Sequence, residues 1–240
     1  MNTASDKLLL VIVAKAPVPG EVKTRLYSDL SPAAATELYC CFLQDRIAEM
    51  GSLKGIDLAI AYTPEDSGAY FAAFASNGFD LFPQNGKDLG ERLNNIFVQK
   101  SAEGYDAIAI VDSDSPDLPK SIVVESFELL TSDRTEAVFG PCYDGGYYLV
   151  GLREPHPELF RDIPWSTAAV LQKTLETAAK SAVKTKLLQH WNDLDTFDDL
   201  IEYYHKYKDA PPESVWTGNK TFKYLARLES ITRRILSPDP

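Results

Sequence analysis

The sequence predicts an α/β fold in which a mostly parallel sheet is covered by helices on both faces. Three observations predict it. Apolar runs of strand length occur at residues 8–14, 56–62 and 107–111, the second broken only by Asp57, as expected for strands buried on both faces. Stretches of helical periodicity separate the runs. No internal period or low-complexity tract offers a repeat architecture in their place.

Taken in order, residues 8–14 form the first strand. Ser31-Pro32 supplies an N-cap and a first-turn proline for a helix running to about Met50. Residues 56–62 give a second strand, 69–75 a helix and 80–82 a short strand. Asp88 opens a helix whose apolar face is Leu89, Leu93, Ile96 and Phe97. Residues 107–111 are a central strand, and Pro119 suits the first turn of the helix after it. Strands over 137–139 and 147–152 and helices over 168–179 and 197–207 complete a main domain, 1–207. Past residue 208 the pair Pro211-Pro212 breaks the chain. Residues 220–236 then read as a last helix with Phe222, Leu225, Leu228 and Ile235 on one side, so 208–240 is expected to be a helical extension packed on the same domain.

The chain has 240 residues, 45% hydrophobic and 25% charged, which suits one globular unit and excludes a largely disordered chain. A formal charge of -11 argues against nucleic acid as partner, because duplex binding draws on many cationic contacts to phosphate. No apolar stretch is long enough to span a membrane and no secretory signal is evident, so a cytoplasmic location without membrane partners is expected. Cys40, Cys41 and Cys142 lack metal spacing and read as reduced thiols. His156, His190 and His205 are scattered, which speaks against a zinc site or a catalytic triad. In so acidic a chain an anion must be held locally, by a few cations or by a divalent metal.

Ligands of open parallel sheets bind beyond the carboxyl ends of strands, and two segments occupy such places. Lys15-Ala16-Pro17-Val18-Pro19-Gly20-Glu21-Val22-Lys23-Thr24-Arg25 follows the first strand. Gly20 lets backbone amides approach a phosphate, and Lys15, Lys23 and Arg25 supply charge. The G-x-x-x-x-G-K-[ST] spacing is absent, and a solvated basic loop is the alternative. Asp112-Ser113-Asp114-Ser115-Pro116-Asp117 follows the central strand. In an extended strand end Asp112 and Asp114 project to one side and can share a Mg²⁺ or Mn²⁺ ion. A helix-capping turn is the alternative, and it is preferred for Asp117.

A third segment runs from Gly140 to Gly151, where Asp144 beside Gly145 and Gly146 is placed to orient or deprotonate an acceptor hydroxyl. An Asp-Gly hairpin turn is its alternative. Tyr147 and Tyr148 alternate faces, so at most one reaches a site. Trp165 offers an aromatic face to a sugar, with Ser166 or Thr167 otherwise capping the next helix. Asp193 and Asp195 repeat the two-residue carboxylate spacing, as metal ligands or as the cap of the helix at Phe197.

Together these segments resemble a bacterial GT-A-like family of nucleotide-diphospho-sugar transferases and arsenosugar-type glycosyltransferases, formerly a domain of unknown function. The match rests on Ala14 to Gly20, Lys23 to Leu26, Leu89 to Leu93, Asp112 to Leu118, Gly140 to Leu152, Trp165 to Thr167 and Asp193 to Leu200, in order. The family is related to the molybdenum-cofactor and deazaflavin-cofactor guanylyltransferases. The resemblance implies a GT-A fold, a three-layer Rossmann-like sheet with one antiparallel strand. It implies that the loop with Ala14, Lys15, Lys23, Thr24 and Arg25 holds base and phosphates, that Leu89, Gly90 and Arg92 lie beside the nucleoside, and that Asp114 and Asp195 are metal ligands. The guanylyltransferases carry a Gly-rich first loop, whereas this one has two prolines and Lys-Thr-Arg.

The expected activity is metal-dependent sugar transfer from a nucleotide diphosphate donor to a small-molecule acceptor. In that reading Mg²⁺ or Mn²⁺ on Asp112, Asp114 and Asp195 neutralises the leaving diphosphate with Lys23 and Arg25. Asp144 takes the acceptor proton, and Gly145, Gly146, Tyr147 and Trp165 contact acceptor and sugar. The alternatives are nucleotidyl transfer with release of pyrophosphate and a non-catalytic nucleotide-binding module. A monomer or homodimer is expected.

Overall fold

The apolar runs become strands β1 (Leu8–Lys15), β2 (Asp57–Thr63), β3 (Phe79–Pro83), β4 (Ala107–Val111), β5 (Ala137–Pro141) and β6 (Tyr147–Leu152), joined by a short β7 (Thr185–Leu187). Between and after them lie α1 (Pro32–Met50), α2 (Gly68–Ala75), α3 (Leu89–Ala102), α4 (Lys120–Thr131), α5 (Val170–Lys180), α6 (Phe197–Lys208) and α7 (Lys220–Leu225). The structure, a computed structural model, describes residues 6–75, 78–132, 135–210 and 219–228.

The strands form one sheet in the order β3-β2-β1-β4-β6-β5-β7. All neighbours are parallel except β6, which runs antiparallel to both β4 and β5. This is the mostly parallel sheet with one antiparallel strand that was expected. The sequence reading did not anticipate β7, and the reason is visible in its residues: Thr185, Lys186 and the half-exposed Leu187 show no apolar run.

Alternation along the strands builds the two faces. Leu10, Ile12 and Ala14 of β1 point into a core with Leu38, Phe42 and Ile47 of α1, Ile122 and Phe127 of α4, and Leu200 of α6. Leu9 and Val11 point into a second core with Leu93, Ile96 and Phe97 of α3 and Ala178 of α5. Three layers result, helices on each side of the sheet.

The expected caps at Ser31 and Asp88 are present: Ser31 Oγ accepts from Ala34 N at 3.2 Å, and Asp88 Oδ1 from Glu91 N at 2.8 Å. Pro119 is the N-cap of α4, one residue before the first-turn position expected of it. The helix expected over 168–179 begins only at Val170. Ser166 sits at φ 63, and Thr167 Oγ1 donates to Pro164 O at 2.7 Å, closing a turn rather than capping α5.

The last helix is shorter than the periodicity suggests: α7 ends at Leu225 and a turn follows. Pro211-Pro212 and residues 229–236, including Ile235, lie outside the described residues. Within α7, Asn219 caps Phe222 N at 2.7 Å, and Phe222 stacks on Tyr204 of α6 at 5.4 Å. The buried Asp45 of α1 accepts from Lys220 N at 2.9 Å and Thr221 N at 2.7 Å, so a carboxylate meets the free amides and positive end of the helix.

Replacing Asp45 leaves two backbone donors without their partner, that of Thr221 in a buried place. Asp45→Ala is expected to destabilise the protein by about 2–3 kcal/mol, measured by urea denaturation; a loss below about 0.5 kcal/mol contradicts this account of α7.

Candidate functional site

The strand order reverses at the centre of the sheet. From β1 the chain builds outward through β2 and β3, then crosses back to place β4 on the other side of β1. At such a switch point the loops leaving the two strands diverge and open a crevice. The β1 and β4 loops, which carry the cations and the acidic turn, are therefore brought together by topology.

The β1 loop is shaped from within. Gly20, at φ 93, donates its amide to Tyr27 Oη at 2.9 Å, and that hydroxyl donates to Val22 O at 3.1 Å. Val22 and Leu26 are buried and anchor the loop. Lys23 has left-handed backbone angles, φ 49 and ψ 40, just before the 3-10 turn Thr24–Leu26. That conformation is uncommon for a residue with a Cβ. It sends the Lys23 side chain inward and leaves Thr24 and Arg25 at the surface.

The β4 loop does not continue extended, as the spacing of its carboxylates suggested. Asp112 Oδ1 accepts from Asp114 N at 3.2 Å and Ser115 N at 3.3 Å, and its Oδ2 accepts from Ser115 Oγ at 3.0 Å. The side chain thus folds the chain around itself, a common use of Asp in turns. Arg46 of α1 lies beneath this turn with 0% of its side chain exposed. Its guanidinium bonds to Ser115 O, donates to Leu118 O at 3.3 Å and lies 3.5 Å from Asp112 Oδ1. Tyr39, also from α1, shares a 2.9 Å hydrogen bond with Ser113 Oγ and accepts from Lys15 N at 3.1 Å, so one hydroxyl touches both loops. Asp117 is structural, as preferred, but as a tie rather than a cap: it accepts from Trp191 Nε1, Lys206 Nζ and Tyr207 Oη at 3.0, 2.9 and 2.7 Å.

The loops meet at Lys23. Its ammonium lies 2.6 Å from Asp114 Oδ1 and 2.8 Å from Asp195 Oδ1, and it donates to Leu194 O at 2.9 Å. Arg25 Nη1 reaches Asp195 Oδ2 at 3.2 Å. Lys15, Glu21, Val22, Thr24 and Tyr39 complete the lining of a cleft of about 280 Å³ around this cluster. Burial alone lowers the pKa of Lys23, yet Asp114 and Asp195 outweigh it and hold the ammonium above the ordinary lysine value. Burial pushes Asp195 upward, but Lys23 and Arg25 pull it below the usual carboxylate range.

Other carboxylates gather nearby with less compensation. Burial raises Asp112 to about 6, against the pull of Arg46. Asp193 is raised to about 7 by burial and by Asp195, Asp112 and Asp144. Ligand atoms of Cys142, Asp144 and Asp193 lie within 4.8 Å of one another. Asp144 belongs to the hairpin between β5 and β6, where its Oδ1 accepts from Gly146 N at 2.8 Å. Gly145 has φ 92, and a Cβ there would stand 2.1 Å from Ala168 O, so glycine is demanded twice over.

The remaining predicted residues lie elsewhere. A Cβ on Gly90 would meet Phe160 O at 2.5 Å and Trp165 Nε1 at 2.8 Å, so α3 begins pressed against the segment after β6. Gly90 and Trp165 line a separate recess of about 430 Å³. Leu89 is exposed, and Arg92 Nε donates to Gly86 O at 3.2 Å. Tyr147 stands edge-on to Trp165 at 6.3 Å, while Tyr148 points into the opposite core with its hydroxyl on Gln189 O, confirming that they alternate. Ala14 is buried at the end of β1. Sequence reasoning missed Tyr39 and Arg46. The available signal was a cation, Arg46, within the apolar stripe of Phe42, Leu43 and Ile47.

Asp114 and Asp195 already converge on one cation, the ammonium, and carboxylate oxygens are the donors hard divalent ions take. Their donor set therefore fits Mg²⁺ or Mn²⁺. Among the described residues no helix is long and apolar enough to cross a membrane.

Residues 46–167 match the family described as "Uncharacterized protein conserved in bacteria (DUF2064)". No curated protein matches the chain. Among solved structures, a "putative nucleotide-diphospho-sugar transferase" of Desulfovibrio desulfuricans G20 is 32% identical, with a TM-score of 0.87 over 96% of this chain and 98% of that one. A cytidylyltransferase of Leptospira borgpetersenii is 13% identical, with a TM-score of 0.53 over 98% and 96% of the two chains. A CMP:2-keto-3-deoxy-manno-octonic acid synthetase in complex with CTP is 12% identical, with a TM-score of 0.53 over 82% and 96%. The last two likenesses are of fold.

Removing Arg46 would strand Asp112 in a buried turn. Arg46→Met is expected to cost about 3–5 kcal/mol in urea denaturation, and adding Asp112→Asn to recover part of it; an unchanged midpoint contradicts the clamp. For Asp193, a folded pKa near 7 against about 3.9 unfolded means the native state binds more protons between those values. Its contribution to stability therefore falls as pH rises from about 4 to 7. Asp193→Asn is expected to melt above wild type at pH 8 and level with it at pH 4, and the reverse ordering would show the sign to be wrong.

Proposed function

From a chain that belongs to the bacterial DUF2064 family, we propose a transferase that uses a nucleotide-activated donor and moves a sugar from a nucleoside diphosphate to a small-molecule acceptor. The relative from Desulfovibrio desulfuricans supports this reading. The observation that carries it is the Lys23 ammonium shared by Asp114 and Asp195 at the crevice between β1 and β4.

In this reading Lys15, Lys23, Thr24 and Arg25 bind the diphosphate. Ala14 supplies backbone beneath it, and Leu89, Gly90 and Arg92 border the nucleoside. Gly145, Gly146, Tyr147 and Trp165 contact the sugar and acceptor. The acceptor oxygen bonds to the anomeric carbon as the bond to the diphosphate breaks, and the hydroxyl proton passes to Asp144. Lys23 and Arg25 compensate the charge that develops on the leaving group. Asp114 and Asp195, with Asp112 behind them, would hold a divalent ion, which when bound supplies further positive charge to the diphosphate. Within the extension, residues 219–228 pack on α1 and α6.

Nucleotidyl transfer is the second reading, favoured by the likeness in fold to cytidylyltransferases. It requires a nucleoside triphosphate and releases pyrophosphate. Incubation with a panel of nucleotide sugars and of nucleoside triphosphates, each with Mg²⁺ or Mn²⁺, separates the two by product. Release of nucleoside diphosphate from a sugar donor is expected, with Asp114→Ala lowering kcat by at least about 100-fold. Absence of binding and turnover with every sugar donor defeats sugar transfer.

A further inference from the structure

We propose that the Lys23 ammonium is the resident cation of the Asp114–Asp195 pair, so that a divalent ion enters there only together with a diphosphate that draws Lys23 away. The inference rests on the metal and diphosphate part of the function proposed above.

The geometry makes occupancy exclusive. An ammonium has three N–H groups, and Lys23 has three acceptors, Asp114 Oδ1, Asp195 Oδ1 and Leu194 O, within 2.9 Å. The side chain is 4% exposed. A Mg²⁺ ion bonds carboxylate oxygens at about 2.0–2.1 Å. An ion bonded to both Oδ1 atoms would therefore occupy the space that Nζ fills. On those two oxygens the ammonium and the ion exclude each other.

Charge gives the same answer. Asp114 and Asp195 carry two negative charges, and Lys23 and Arg25 two positive ones, so the quartet is formally neutral. Within that quartet a divalent ion added alone leaves two positive charges unmatched and stands beside the Lys23 ammonium, and like charges so close are costly in a partly buried place. A diphosphate removes that excess and gives Lys23 a new partner. The cleft has room for the exchange: it opens beside Lys23 and is lined by the exposed Arg25 and by Lys15, which pairs with Glu21 at 3.4 Å. Lys23 needs only its flexible four-carbon stem to turn from the carboxylates to a phosphate. Ordered arrival of metal and nucleotide would then be a property of one lysine.

Equilibrium dialysis of the full chain against Mn²⁺, with and without inorganic pyrophosphate, tests this by reading ion bound per chain and needs no turnover. Wild type is expected to bind Mn²⁺ at least tenfold more tightly with pyrophosphate than without. Lys23→Met, which keeps an unbranched stem and removes the ammonium, is expected to bind Mn²⁺ alone at least tenfold more tightly than wild type. Asp114→Asn should abolish the pyrophosphate-dependent ion. Equal Mn²⁺ affinity in wild type with and without pyrophosphate overturns the proposal even if Lys23→Met fails to fold, and so does equal affinity in wild type and Lys23→Met. Absence of bound Mn²⁺ in every arm overturns it together with the metal role of Asp114 and Asp195. Failure of the sugar-donor assay alone leaves a positive dialysis result standing.

Discussion

A buried ammonium holds two loops of opposite charge at the centre of the molecule. Lys23 arrives on the loop after β1, Asp114 on the loop after β4 and Asp195 on the segment before α6. A lysine at this depth would be an expense without partners, because desolvation disfavours its charge. With two carboxylates and a carbonyl it becomes the tie that closes the crevice. The rest of the site is arranged to present those partners at the right place.

That arrangement comes from α1. Tyr39 reaches both loops through a single hydroxyl, and Arg46 props the acidic turn from below. Asp112 is the complement of Arg46: its oxygens are taken up by the amides and hydroxyl of its own turn. The neighbouring acid, Asp114, is thereby left facing the cleft. One carboxylate builds the loop and the next one serves it. The same division separates Asp193, raised by burial among other acids, from Asp195, lowered by Lys23 and Arg25.

What the sequence made legible follows from range. The strands and most helices were readable because apolar periodicity and caps such as Ser31 and Asp88 are local signals. The cationic first loop and the acidic turn were readable because each follows a strong strand. The β7 strand was not, since three polar or exposed residues pair there only because β5 offers an edge. The extended D-x-D geometry failed because an Asp side chain can satisfy the amides two and three residues on and so bend the chain. Tyr39 and Arg46 were hidden for a third reason. On a helix they look like members of a buried stripe, and only the tertiary fold shows which loops they meet. Gly90 and Trp165, read separately as nucleoside and sugar contacts, come together in one recess that is distinct from the Lys23 cleft.

Asp45 and Arg46 are consecutive in α1 and do opposite jobs with buried charge. Asp45 takes the two free amides at the start of α7, and Arg46 takes the carbonyls and carboxylate of the acidic turn. Helical geometry turns successive side chains by about 100°, so the two point to different neighbours while sharing one rigid backbone. A shift of α1 that suits one would misplace the other. The final described helix and the acidic turn are therefore both anchored on α1, although α7 supplies no residue to the Lys23 cleft. From the same helix Tyr39 and Arg46 hold Ser113 and Ser115, the residues on either side of Asp114.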